Sequence, residues 1–193
     1  VAHSLAQPVL DVAVDGARRT TRCGDLLVVG GDAVYPVASR EAYEHRLTAA
    51  YRTALPAAPP SRRPKVFAVA GNHDWYDSLV AFTRIFCTGG KRSFAGWQTH
   101  QERSYFAVKL PHRWWLVGVD VQLESDIDDP QLEYFSKIAD SMAPDDRVIL
   151  CTAEPYWIYE QRYRQFDRDI TERNLAFLEK RIFGNRVEVF IAG

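Results

Sequence analysis

Short apolar runs along this chain stop abruptly at glycine and acid. Leu26–Val29 runs into Gly30-Gly31-Asp32, and the apolar stretch 66–70 runs into Gly71-Asn72-His73-Asp74. RVILCTAEP (147–155) and VEVFIAG (187–193) repeat the pattern. Each run is rich in Val, Ile, Leu or Phe and is bounded by Gly or polar residues, which predicts buried strands. Between them the apolar period lengthens to that of a helix. REAYEHRLTAAYRTAL (40–55) puts Tyr43, Leu47, Ala50, Tyr51 and Ala54 on one helical face. PQLEYFSKIADSMA (130–143) opens with proline in a first helical turn. DITERNLAFLEKRIF (169–183) carries a Leu175, Leu178, Ile182 stripe and stops at Gly184. The opening VAHSLAQPVLDVAV also reads as helical, and the proline-rich 56–64 as a loop. SYFAVKL and WWLVGVDVQ, joined by Pro-His-Arg, read as an antiparallel hairpin. Together these elements predict one α/β domain over residues 1–193: a layered fold with mixed sheets flanked by helices.

Composition narrows the class. Apolar residues make up 47% and charged residues 25%, the balance of a folded globular domain. The formal net charge of -1 provides no global field for nucleic acid or an anionic membrane. No apolar run approaches the length of a membrane span, and no leader is visible. Cys23, Cys87 and Cys151 are widely spaced and form no CxxC pair, so a reducing, cytoplasmic setting is expected. Cys151 reads as a small buried hydrophobe. A start inside an apparently helical segment and an end one glycine past a strand suggest a domain cut at both ends.

The polar residues at the strand ends carry the chemistry. In open α/β sheets, sites form outside the carboxyl ends of strands. Asp32, Asn72, His73, Asp74 and Glu154 all follow such ends and are expected to converge on one crevice. They are oxygen and nitrogen donors, suited to Mn, Fe, Zn or Mg rather than to a thiolate-bound zinc. An Asp carboxylate can bridge two cations, and a paired divalent centre can clamp a phosphoryl displacement. A histidine beside it can protonate a leaving oxygen, and a neighbouring Asp can orient the imidazole. Gly30, Gly31 and Gly71 let the backbone turn and leave room for ions and phosphate.

GGDAVYP and GNHDWYD, in that order on successive strands, resemble the GD-x-x-Y and GNHD motifs of calcineurin-like metallophosphoesterases. The resemblance runs from about Asp25 to Gly193. It implies that Asp32 is a bridging ligand to two divalent metal ions, that Asn72 binds the second metal, that His73 is the general acid, and that Asp74 is its partner. The next ligand of the family is usually a histidine before a proline; here CTAEPYW offers Glu154 in that place, a departure from the pattern. The family's first and last ligand motifs, an acidic one before the first helix and a Gly-His or Gly-Asp one after VEVFIAG, are not among the 193 residues. The implied activity is hydrolysis of a phosphomonoester or phosphodiester substrate.

Plainer readings stand beside each of these. Gly30-Gly31-Asp32 alone is a turn, and Asn72-His73-Asp74 alone is an Asx-type cap. Their order on successive strands favours the site. Asp120, at the end of WWLVGVDVQ, reads as a loop-stabilising acid. Tyr35 is expected to support its loop, and Trp75 and Tyr76 either pack or wall a cleft. Trp97, Trp114, Trp115 and Trp157 read as core or interface aromatics. His3, His45, His100 and His112 read as surface or hairpin histidines. The mixed run 160–169 reads as a solvated face, with arginines also suited to a phosphate. The rival function is a non-catalytic binding module on the same fold. A nucleotide-binding α/β domain lacks its GxGxxG or GxxxxGK[ST] signature here.

Overall fold

A computed structural model describes residues 2–7, 9–54, 64–121, 125–158, 161 and 173–193. The helical reading of the start holds only for α1 (Ala2–Ala6). Beyond it lie two antiparallel strands, β1 (Val9–Val14) and β2 (Ala17–Arg22). The reason is local. Leu10, Val12 and Val14 recur with period two, and Asp15-Gly16 forms the turn with φ of 50° and 76°. Positive φ at both central residues is what a type I′ hairpin turn needs, and Asp-Gly adopts it readily.

β3 (Leu26–Val29) leads through the Gly30–Asp32 loop to helix α2 (40–54). Ser39 caps α2, its hydroxyl accepting the Ala42 N–H at 3.1 Å. The stretch Tyr43–Thr48 is π-helical, and the Ala49 N–H reaches back to the Glu44 carbonyl. That extra residue per turn shifts the buried face. Tyr43, Leu47 and Ala54 are buried as expected, but Thr48 turns inward and Ala50 is exposed. Of the proline-rich loop 56–64, only Pro64 lies within the described residues.

β4 (Lys65–Ala68) is followed by a 3-10 turn, Asp74–Asp77, and helix α3 (Val80–Phe86). A short hairpin, β5 (Ser93–Phe94) and β6 (Trp97–Thr99), comes next. The expected hairpin forms as β7 (Phe106–Lys109) and β8 (Trp114–Gly118). Helix α4 (Asp129–Asp140) has Pro130 in its first turn and Asp128 as its cap. β9 (Arg147–Thr152), helix α5 (173–183) and β10 (Val187–Ala192) complete the chain. Helix α5 buries Leu175 and Leu178 and stops at Gly184, whose φ is 58°.

The strands form a β3-β4-β6-β5 sheet, a β10-β9-β8-β7 sheet and the separate β1-β2 ribbon. β3, β4 and β6 run parallel with β5 opposed; β8, β9 and β10 run parallel with β7 opposed. Alternate side chains sort into layers. Leu27, Val29, Val66 and Ala68 pack with Tyr43, Phe82 and Phe86 from α2 and α3. Their neighbours Leu26, Val28, Phe67 and Val69 pack instead with Phe106, Leu116, Ile149 and Cys151 of the other sheet. The outer face of that sheet, with Val117, Val148 and Leu150, packs on Phe135, Leu175 and Leu178 of α4 and α5. The result is an α/β fold in which two mixed sheets face each other and helices cover their outer faces. Burial on both faces is why β4, β8 and β9 read as unbroken apolar runs; β10, also expected to be buried, lies at the sheet edge and leaves Val189 and Ile191 exposed. Among the described residues, no helix is long and apolar enough to cross a membrane.

Two glutamines finish the ladders where strands run out. Beyond the β4–β6 pairing, the Gln101 Oε1 accepts the Ala68 N–H at 2.7 Å and its Nε2 donates to the Ala68 carbonyl at 3.0 Å. Past β8, Gln131 does the same for Asp120, accepting its N–H at 2.9 Å and donating to its carbonyl at 2.8 Å. Both side chains are buried. Each thus stands in for a neighbouring strand. Gln101→Leu keeps the volume but orphans a buried N–H and a buried carbonyl, so it should cost roughly 2–5 kcal/mol in chemical denaturation. A loss below about 1 kcal/mol would show that water takes over those groups.

Candidate active site

The carboxyl ends of the two sheets meet as bare backbone. A Cβ on Gly30, at the end of β3, would lie 2.6 Å from the Cα of Gly193, at the end of β10. No real side chain tolerates that approach, so glycine is required there. Gly31 lies against Ala153 beyond β9, and a Cβ on Gly71 beyond β4 would run into the Asp32 carboxylate.

At this edge the two loops are laced together. The Asp32 N–H donates to Asp74 Oδ2 at 3.0 Å, and the Gly71 N–H donates to the same oxygen at 2.9 Å. In return the His73 N–H donates to Asp32 Oδ1 at 2.9 Å. Tyr43, from α2, donates its hydroxyl to Asp74 Oδ1. Asp32 sits at φ 46°, a left-handed conformation that Asp tolerates better than most residues and that the lacing maintains. Asp74 is buried, 1% exposed. Desolvation pushes its carboxyl pKa up, although three donors favour the anion. Burial, then the Asp74 charge, pushes the Tyr43 hydroxyl pKa well above its usual range, so it stays a donor.

His73 is held from several sides. Its Nδ1 lies 2.6 Å from the Pro36 carbonyl, which can only accept, so Nδ1 carries the proton. Nε2 has no partner among the described residues. The ring is flanked by Tyr35 and Tyr76, with centroids at 4.4 Å and 4.8 Å. Arg46 of α2 donates to the Tyr35 carbonyl and so anchors the segment that holds the histidine.

This geometry revises part of the expected constellation. Asp32, His73 and Asp74 are brought together, with Asn72 in the same turn. Asp74 does not orient His73, however. Its two oxygens are taken by Tyr43, Asp32 and Gly71, and the Pro36 carbonyl orients the imidazole instead. Asn72 uses its backbone carbonyl to accept the Trp75 N–H at 3.2 Å, and its side-chain amide makes no hydrogen bond among the described residues. Glu154 stands apart from the lacing. It is exposed, and its carbonyl accepts the Thr152 hydroxyl at 2.6 Å, while its carboxylate is without a partner among the described residues.

Asp120 ties the second sheet to this region. It is buried and accepts the Trp75 indole N–H at 2.8 Å and the Ser104 hydroxyl. Burial pushes its pKa up. The arginine-bearing run 160–169 lies, apart from Gln161, outside the described residues.

For a divalent cation, Asp32 and Asn72 are suitable in kind: both offer oxygen at adjoining loops where glycines leave space. They fall short in number. No group of three or more His, Cys, Asp or Glu among the described residues is placed to hold a metal ion. Cys87 and Cys151 add nothing here, since burial pushes their thiols up to about 12 and about 11. No family model, curated protein or solved structure matches the chain.

The lacing makes a stability prediction. Asp74→Ala leaves a buried and a partly buried backbone N–H and a buried hydroxyl unpaired, and should cost roughly 3–5 kcal/mol. Asp74→Asn retains an acceptor for the N–H groups and can donate to the Tyr43 oxygen, so it should cost about 2 kcal/mol or less. Equal losses for the two variants, measured by urea unfolding, would refute the assigned hydrogen bonds.

Proposed function

We propose that this chain is a metal-dependent phosphoesterase domain of the calcineurin-like type, hydrolysing a phosphomonoester or phosphodiester. The observation that carries the reading is the lacing of Asp32 to the Asn72-His73-Asp74 turn where the carboxyl ends of two sheets touch. The order of GGDAVYP and GNHDWYD along the chain supports it. Asp32 and Asn72 would hold metal, with Glu154 a further candidate; ligands beyond the described residues would complete two sites. Bound divalent ions would supply charge neutralisation for the phosphoryl group and activation of water.

The remaining roles belong to the chain itself. Protonated His73 delivers its Nε2 proton to the leaving oxygen. The Nδ1 contact with Pro36 fixes which nitrogen performs that transfer. Tyr35 and Tyr76 restrict the ring, and Asp74 acts one step back, keeping the two loops in register.

The test uses the full-length protein with Mn²⁺ and paired aryl phosphodiesters, one with a p-nitrophenyl and one with a phenyl leaving group. Removing a general acid costs on the order of 10²-fold or more, so His73→Ala should lose at least that much on the phenyl ester. The loss should be smaller on the p-nitrophenyl ester, whose leaving group needs less protonation. Asp32→Asn should lose activity on both. A folded protein that is inert with every divalent ion tried, or a His73→Ala variant that matches wild type on both esters, would sink the enzyme reading and favour a binding module.

A further inference from the structure

A second polar concavity is lined by none of the residues that the proposed chemistry uses. Helices α2 and α3 and strand β5 enclose an open cleft of about 520 Å³. That is within the size range of small-molecule sites. Four arginines line it, Arg40, Arg52, Arg84 and Arg92, against one acid, Glu44. Glu44 is already engaged, accepting from Arg52 at 2.8 Å. Glu41, beside Arg40 in sequence, lies instead 3.9 Å from His45. The guanidinium groups of Arg40, Arg84 and Arg92 have no hydrogen bond or ion pair among the described residues.

The cleft also offers a spare hydroxyl. Thr48 is only 9% exposed and lines the cleft, yet its hydroxyl has no hydrogen-bond partner among the described residues. The π-helical turn of α2 brings it there, in place of the exposed Ala50. Ile85 and Phe94 add apolar wall. A solvated arginine face would scatter its charges or pair them with acids. Here three unpaired guanidinium groups, from separate parts of the chain, ring one cavity in a protein whose formal net charge is -1.

We propose that this cleft binds a small organic molecule carrying at least two phosphate groups. A guanidinium presents paired N–H donors that match two phosphate oxygens, and it stays charged at every physiological pH. Three guanidinium charges exceed the charge of about -2 that one phosphate group carries, whereas two linked phosphates carry enough to balance all three. The Thr48 hydroxyl supplies a neutral donor at the floor, and Ile85 and Phe94 accommodate the organic portion. This site is separate from the Asp32–His73 loops and stands whether or not those loops are catalytic.

Pyrophosphate is the probe, titrated calorimetrically at low salt with EDTA present so that metal-mediated binding elsewhere is removed. Binding with a Kd of about 1 mM or tighter is expected, weakening as salt rises. Arg84→Gln combined with Arg92→Gln should weaken it by about tenfold or more. Those side chains are exposed, so folding is not at risk. Arg113→Gln, which removes a surface arginine paired with Asp145, should leave binding unchanged. Inorganic phosphate should bind at least about tenfold more weakly than pyrophosphate. Absence of binding at about 10 mM would overturn the proposal. So would a loss produced by Asp32→Asn but not by the arginine pair, or equal affinity for the two anions.

Discussion

The structure around the candidate site depends on one buried carboxylate. Asp74 accepts from the Asp32 N–H, the Gly71 N–H and the Tyr43 hydroxyl, and so joins the ends of β3 and β4 to helix α2. Hydrogen bonds to a charged acceptor contribute roughly 1.5–3 kcal/mol each. Desolvating the carboxylate opposes that gain and pushes its pKa up. What it contributes is position: the three donors come from three separate segments, and a shift of either loop would leave them unpaired.

That constraint works only because the sheets end without side chains. Gly30 meets Gly193 backbone to backbone, and Gly71 yields its side-chain space to Asp32. The inter-sheet core of Phe67, Phe106, Leu116 and Cys151 holds the two sheets face to face, and Gln101 and Gln131 close the strand ladders at their ends. Rigid strands deliver the loops, and the loops then lace to each other. Arg46 and Tyr43 extend the arrangement to α2, which holds both the Tyr35–Pro36 segment and Asp74.

β4 and β9 and their polar ends were legible because burial on both faces leaves an unmistakable apolar run; the same apolar density made β10 read as buried, although as an edge strand it exposes Val189 and Ile191. The β7–β8 hairpin and helix α4 were legible for similarly local reasons, a short connection and a proline in a first turn. The opening ribbon was misread because apolar density in VLDVAV outweighed the Asp-Gly turn that follows. Ala50 was misplaced because a π turn changes the period, and nothing in YEHRLT announces one. Within the site, Asp32, Asn72, His73 and Asp74 stood out as a cluster, but the partnership between Asp74 and His73 did not follow from adjacency. The Asp74 carboxylate turns to Gly71, Asp32 and Tyr43, and the His73 ring to the Pro36 carbonyl, the last three far away in the chain. Tyr43 looked like one more residue on an apolar face. Pro36 acts through a carbonyl that every residue possesses, so no side-chain pattern reveals it.

His73 shows what this arrangement achieves. Its backbone N–H is bound to Asp32, its Nδ1 to the Pro36 carbonyl, and its ring lies between two tyrosines. In the proposed reaction that restraint matters, because the nitrogen that passes the proton has to be specified before the substrate arrives. Here the entropy of orienting the ring is spent during folding, and Nε2 is left as the single ring nitrogen without a partner among the described residues. The same logic assigns Asp74 its place. An acid that bonded directly to the imidazole would tune the histidine but release the loops. By holding the loops it leaves the ring to a neutral carbonyl, which orients it without adding a second negative charge beside Asp32.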